Sequence, residues 1–225
     1  MRIDIFSDVI CPWCFIGKRR LETALRQRPL GNVELHWRAF QLNPDMPVQG
    51  MPRQLYLETK FGGTDRARQV YETIRQNGAA EGIDFQFDKI ARTPNTVLAH
   101  RLIRFASDQG FGDPLVERLF VAYFTEGVDI GDRDKLIEQA IAVGMDAEEV
   151  SDFLAGSGGQ PEVQAETRFA YENGINGVPC FIFNRHYALA GAQDPSAFFP
   201  LFELSLSEET EGSPPKSSPT AANSA

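Results

Sequence analysis

Two of the chain's three cysteines stand three positions apart in "IDIFSDVICPWCFIGKRRLETAL", residues 3–25, where a strand-like run gives way to a helix-like one. Such a pair could be a redox dithiol, half of a metal site, or a coincidence. Three randomly placed cysteines give some pair at this spacing in roughly 3% of such chains, so spacing suggests chemistry and placement must supply the rest. Cys11 falls at the start of the helix-like run, where unpaired backbone N–H groups and the positive end of the dipole favour a thiolate. Cys14 lies one turn further in, on the face shared with Leu21 and Leu25, and is expected to be buried. Dithiol chemistry needs that asymmetry: an accessible sulfur attacks a disulfide and a shielded one resolves the mixed disulfide. The residues therefore assign Cys11 as nucleophile and Cys14 as resolver, with Pro12 and Trp13 setting the geometry and electrostatics between them. Gly17, on the buried side near Cys14, lets the helix approach a sheet closely. Structural zinc wants four ligands, commonly as two close pairs. The remaining candidates, Cys180, His36, His100 and His186, are scattered singly, so no metal site is expected.

The elements that must hold this pair can be read from periodicity. Residues 2–8 form a strand with Ile3, Ile5 and Phe6 as apolar members, and Pro12 supplies the fixed φ of a first helical turn. "NVELHWRAFQL" (32–42) alternates as a second strand. Residues 53–77, 95–109, 114–126, 133–143 and 146–155 each look helical between Gly and Pro punctuation. A helix from about 161 to 173 leads to "GINGVP", and "CFIF" and "HYALAG" flank Asn184-Arg185 as a hairpin. Asp194 caps a last helix with Pro195 in its first turn. The final stretch, 207–225, is Ser/Pro-rich and reads as a disordered tail. The order is thus β-α-β, a helical block, then α-β-β-α. Without the block this is an α/β, thioredoxin-type arrangement. The expected organisation is an N-terminal βαβ part (1–48), a helical insertion or cap (49–158), a C-terminal αββα part (159–206) and the tail.

Bulk properties narrow the function classes. The chain has 225 residues, 42% of them hydrophobic, enough for a real core. A formal charge of −9 argues against a nucleic-acid surface. "MRIDIFSD" has no basic region followed by an apolar core, so no signal peptide is expected. No apolar run has membrane-span length, and no membrane association is expected. Three cysteines are too few for a disulfide scaffold, and together these features favour the cytoplasm.

The segments "DIFSDVICPWCFIGKRRLE", "HWRAFQLNPDMP", "PNTVLAHRLIRFA", "GINGVPCFIFN" and "YALAGAQ" resemble the DsbA-like thioredoxin superfamily, in particular its FrnE-like branch of cytoplasmic oxidoreductases. The resemblance spans residues 3 to about 204. It implies that the helical insertion caps the active site. It also implies a cis-proline at Pro179, preceded by Val178, whose backbone beside Cys11 pairs with a substrate peptide. Asp4 occupies a strand position where relatives can carry a buried carboxylate, making it a candidate acceptor of the resolving thiol's proton; a strand-end acid facing water explains it equally well. Asn95 and His100 are candidate residues on the cap side of the cleft, although a helix N-cap and a structural histidine account for them too. Gln193 belongs to "GAQD", where glutathione-using relatives bind the γ-glutamyl end, but Asp194 can fill that helix N-terminus itself. Cys180 reads as a buried, inert small hydrophobe; His36 and His186 read as structural.

The resemblance makes a thiol–disulfide oxidoreductase acting on protein or small-molecule disulfides the leading expectation, with no tightly bound cofactor and glutathione as a candidate co-substrate. The recycling reductant or oxidant is unspecified, and a monomer or homodimer is equally compatible. The neutral indole of Trp13 predicts a weaker oxidant than periplasmic relatives carrying Pro-His. One alternative is a glutathione-dependent isomerase or transferase, as in 2-hydroxychromene-2-carboxylate isomerases and kappa-class glutathione transferases. Those relatives tend to carry serine where this chain has Cys11. The other alternative is a chaperone module gripping unfolded peptides.

Overall fold

The first strand, β1 (Arg2–Ser7), carries large apolar groups on both of its faces, which demands cover from both sides. The computed structural model, which describes residues 1–211 with the side chains at 64, 65 and 208–211 excepted, supplies it. β1 is central in a four-stranded sheet of order β2-β1-β5-β6, formed with β2 (Glu34–Ala39), β5 (Cys180–Phe183) and β6 (Tyr187–Ala190). β2 runs parallel to β1 and pairs Trp37 with Ile5; β5 runs antiparallel and pairs Phe181 with Ile5. Helix α1 (Pro12–Gln27) is the crossover that a parallel pair requires. Ile3, Ile5 and Phe181 pack with α1 in the main core, whereas Phe6 and Cys180 face the other way, onto Phe40 and Ala170 of helix α8 (Gln160–Glu172). The hairpin turns at Asn184 and Arg185, both with positive φ, the hand that tight β-hairpins favour. These elements form a thioredoxin-like fold.

Between β2 and α8 the chain forms α2 (Arg53–Phe61), α3 (Thr64–Ala80), α4 (Val97–Asp108), α5 (Gly112–Val121), α6 (Arg133–Ala142) and α7 (Ala147–Ala155). The single helix expected over 53–77 is two, because Gly62 ends α2 in the left-handed conformation (φ 70°). The helix expected over 114–126 begins earlier, at Gly112, and its last turn, Ala122–Glu126, is a π-helix. A short antiparallel ladder, β3 (Met51–Pro52) with β4 (Arg92–Thr93), ties the start of the insertion to its middle. After β6, Asp194 accepts the backbone N–H of Ser196, and a 3-10 turn at Pro195–Phe198 leads into α9 (Phe199–Glu211). The expected tail boundary at 207 therefore falls inside a helix, and the rest of that tail lies outside the described residues. No helix among the described residues is long and apolar enough to cross a membrane.

The insertion is fastened to α1 by both packing and charge. Phe15, next to Cys14, stacks on Phe120 at 5.1 Å and meets Phe85 and Phe124 at 6.1 and 6.3 Å. Lys18 is only 4% exposed and lies among Glu22, Asp113 and Glu117. Burial alone would lower its pKa, but these carboxylates outweigh burial and hold it above the ordinary lysine value. Arg20 donates to Glu81 (2.7 Å), Asn77 (3.2 Å) and the carbonyl of Ala192 (2.6 Å). The redox helix is thus held to the insertion on one side and to the loop after β6 on the other.

Candidate active site

β1 ends at Ser7, and Asp8 to Ile10 lead the chain to the start of α1. Pro12 occupies the first helical turn, where its missing N–H costs nothing. Cys11 is therefore the N-cap residue, its N–H bonded to the carbonyl of Asp8 at 2.9 Å, and the N–H of Cys14 reaches the carbonyl of Cys11 at 3.0 Å. Both are free thiols, and the Cys14 sulfur is within hydrogen-bonding reach of Cys11.

The expected contrast in exposure does not hold. Cys14 is 1% exposed and Cys11 only 4%. Cys11 is covered because its Sγ donates to the carbonyl of Val178 at 3.5 Å, across the loop before β5. Burial, then the hydrogen bond and charge of Cys11, push the Cys14 thiol well above its ordinary value, against opposing help from the Ser7 hydroxyl and the Asp8 backbone. Cys14 therefore keeps its proton.

The Val178–Pro179 peptide bond is cis. Pro179 sits on α1 at Gly17, where a Cβ would lie 2.7 Å from Pro179 Cγ and 3.2 Å from Phe181 Cζ. Only glycine allows the helix this close, as the sequence implied. Pro12, Trp13 and Val178 are half-buried around the sulfurs.

Several buried polar groups at the site were not singled out from sequence. Asp8 is fully buried; its carboxylate accepts the N–H of Leu42 at 2.8 Å, and His100 Nε2 lies 3.5 Å away. Ser7 Oγ lies against the Cys14 thiol, has no nitrogen or oxygen partner, and borders a cavity of about 10 Å3 shared with His100, Arg104 and Glu166. That space suits about one water molecule. On the insertion side, burial raises the phenol of Tyr71, opposed by Arg53 and reinforced by Tyr56 and, least, by Cys11. Tyr71 accepts a hydrogen bond from Arg53 at 2.6 Å. Asp8 was legible inside the cysteine motif as a carboxylate three residues before Cys11. Arg53 and Tyr71 gave no local signal, since only the tertiary fold brings them together.

Other expected site residues lie elsewhere or are already engaged. Asp4 is not a proton acceptor for Cys14. Strand alternation turns it away from Ser7, and it sits roughly 10 Å back along β1 at about 3.3 Å per residue. Its carboxylate binds Arg2 (2.6 and 2.7 Å) and Arg38 (2.8 Å). Burial works to raise its pKa, but these guanidiniums prevail and keep it below the ordinary value. Asn95 does not line the sulfur site: it donates to Met46 O at 2.7 Å and accepts from Val97 N at 3.0 Å, fixing the start of α4. His100 is buried behind the redox loop, 3.1 Å from the carbonyl of Phe40, rather than on an open cleft. Gln193 is exposed and donates to Ala190 O at 2.9 Å within its own turn, while Asp194 fills the nearby helix start. Cys180 is buried on the sheet face opposite α1, and burial raises its thiol. Among the described residues, no three His, Cys, Asp or Glu side chains could hold a metal ion.

This geometry can be set beside known proteins. The protein YwbO of Bacillus subtilis (strain 168), itself uncharacterized, is 30% identical over 212 residues, 93% of this chain and 97% of its own. The crystal structure of a probable DsbA oxidoreductase from Streptomyces coelicolor is similar with a TM-score of 0.83 and 32% identity, covering 96% of this chain and 93% of that one. The cytosolic disulfide reductase DsbM from Pseudomonas aeruginosa, solved with GSH, shares the fold at a TM-score of 0.63 and 20% identity, over 92% of this chain and all of that one. The DSBA-like thioredoxin domain matches residues 2–199, nearly the whole described fold, and the chain accordingly belongs to that family of thiol–disulfide oxidoreductases.

Proposed function

We propose that the protein exchanges disulfides through Cys11 and Cys14. The Cys11 thiolate attacks a substrate disulfide, forms a mixed disulfide and releases one substrate thiolate. Cys14 then gives up its proton and attacks Cys11 Sγ, releasing the second substrate thiol and leaving a Cys11–Cys14 disulfide. The substrate gains two electrons and the pair loses two; the same steps reversed oxidise a dithiol. The observation that carries this reading is two free thiols within hydrogen-bonding reach at a helix start, one of them held protonated by burial. Val178 and Pro179, against Cys11 and α1, are the surface on which a substrate strand would pair. Glutathione bound to the related DsbM fold supports a small thiol as co-substrate here, in a cytoplasmic setting. A glutathione-dependent isomerase has no use for the second sulfur, so the presence of Cys14 favours exchange.

The test is the Cys14→Ser variant incubated with glutathione disulfide or a disulfide-bonded peptide. It should accumulate a mixed disulfide on Cys11, visible as a mass increase that dithiothreitol removes. A variant that forms no adduct while the wild type also fails to oxidise would sink the proposal.

A further inference from the structure

An arginine buried in the insertion, at the start of α2, lacks what buried arginines usually have. Arg53 is 8% exposed, and a buried charge is costly unless it is paired. Its guanidinium donates to Tyr71 Oη at 2.6 Å and Thr93 Oγ1 at 3.2 Å, and lies over the rings of Tyr71 (5.0 Å) and Tyr56 (5.4 Å). No carboxylate among the described residues lies within 4 Å of it. Two of the five N–H donors of a guanidinium are thereby used, and three have no acceptor among the described residues. The aromatic faces spread the charge but accept no in-plane hydrogen bond.

Arg53 also borders a cavity of about 180 Å3 lined by Arg68, Arg75, Tyr71, Leu57 and Phe87, with Asp88 the acidic group among the described lining residues. Asp88 already serves Arg75 at 3.2 Å. Three arginines thus converge on one recess of a chain whose formal charge is −9. Tyr71 lines the cavity, holds Arg53 and lies within electrostatic range of Cys11.

Resting on the exchange chemistry proposed above, we infer that Arg53, with Arg75 at the rim, binds the carboxylate of a small anionic thiol or disulfide whose sulfur reaches Cys11. A planar carboxylate takes two parallel N–H donors from a guanidinium, the geometry for which arginine is suited and lysine is not. The recess has room for a carboxylate arm rather than a peptide loop, which makes a low-molecular-weight thiol the occupant. Arg53 is then a binding residue that selects the substrate and takes no part in electron transfer.

The test measures oxidation of the reduced protein by glutathione disulfide, which is anionic, and by hydroxyethyl disulfide, which is neutral. The quantity read is the ratio of the two kcat/KM values. Arg53→Gln should lower this ratio about ten- to hundredfold, through KM for the anionic probe, as loss of a charged hydrogen bond implies. Arg75→Gln, at a half-exposed site where misfolding is not expected, should lower it several-fold. Both variants are checked for folding by thermal melting, and if Arg53→Gln does not fold, Arg53→Lys and Arg75→Gln decide. Ratios within twofold of wild type in folded variants overturn this inference and leave the redox reading intact. A wild type oxidised by neither probe overturns the redox reading, and this inference with it.

Discussion

Replacing Gly17 by alanine pits two effects of known size against each other. Alanine is favoured over glycine inside a helix by about 1 kcal/mol. The new methyl, however, would sit 2.7 Å from Pro179 Cγ and 3.2 Å from Phe181 Cζ. Carbon atoms in good contact are about 3.5–4.0 Å apart, so the helix and the proline must separate by roughly 1 Å. Neither neighbour gives easily: the proline ring is fixed to the backbone that enters β5, and Phe181 is fully buried. Overpacking of this kind costs about 1–3 kcal/mol. The clash wins, for a net loss of about 1 kcal/mol and a fall in Tm of about 2–4 °C in a chain of this size. Turnover should suffer more than stability, because α1 carries Cys11 and β5 follows Val178, whose carbonyl is 3.5 Å from the sulfur. A displacement of that order at reacting groups can cost up to about a hundredfold in rate, and at least a tenfold loss is expected with a neutral disulfide. Differential scanning fluorimetry and a single-turnover oxidation assay read the two effects. Gly31→Ala is the control, since its methyl would meet nothing within 4 Å. A Gly17→Ala protein that melts higher than wild type and reacts at the same rate would refute the close-approach reasoning.

Three further outcomes follow from the same structure. Native reduced protein treated with iodoacetamide near pH 8 should gain one adduct, on Cys11, because burial pushes the thiols of Cys14 and Cys180 above their ordinary value of 9.0; mass spectrometry showing rapid native labelling of either would contradict this. Lys18→Met should cost about 2–4 kcal/mol in urea unfolding, since it leaves Glu22, Asp113 and Glu117 facing one another, with the figure moderated by the 28–40% exposure of those carboxylates. Asp4→Asn should be less stable than wild type at neutral pH. Because the folded-state pKa of Asp4 is depressed, its contribution is present above the ordinary aspartate value of 3.8 and is lost as pH falls through its lower folded value. The gap between urea midpoints should therefore close in acid; a gap of constant size from pH 7 downwards would show that the ion pairs are not its source.

The parts of the site legible in the sequence were those written in local patterns. Cys11-Pro12-Trp13-Cys14 announces a helix start by its proline, Gly17 falls where the helix meets the side chains of Pro179 and Phe181, and Asn184 marks the hairpin. What escaped depends on tertiary placement. The two-residue strands Met51–Pro52 and Arg92–Thr93 are too short to show alternation, and the split at Gly62 hides in a run whose apolar spacing continues beyond it. Asp4 misled for a physical reason: its position on β1 is right for a buried acid, but the parity of the strand, visible only once Ser7 is seen against Cys14, sends it to the opposite face. Arg53 and Tyr71, eighteen residues apart, meet only because Gly62 turns α3 back along α2.

The burial of both sulfurs changes what must happen for the pair to work. With the Cys11 sulfur covered by Val178 and the insertion, a substrate has to displace that carbonyl contact before it can be attacked. A substrate strand pairing along Val178, or a small thiol held by its carboxylate, would provide compensating interactions at the moment the contact is lost. The resolving step faces the opposite constraint. Cys14 is held protonated, so the mixed disulfide persists until that proton leaves, and the polar side chain against it is Ser7, not Asp4. Resolution therefore waits on proton loss from Cys14, which predicts that raising pH speeds release of the mixed disulfide. Stopped-flow tryptophan fluorescence, with Trp13 beside the pair as reporter, follows that step, and a release rate unmoved by alkali would refute this role for the Cys14 proton.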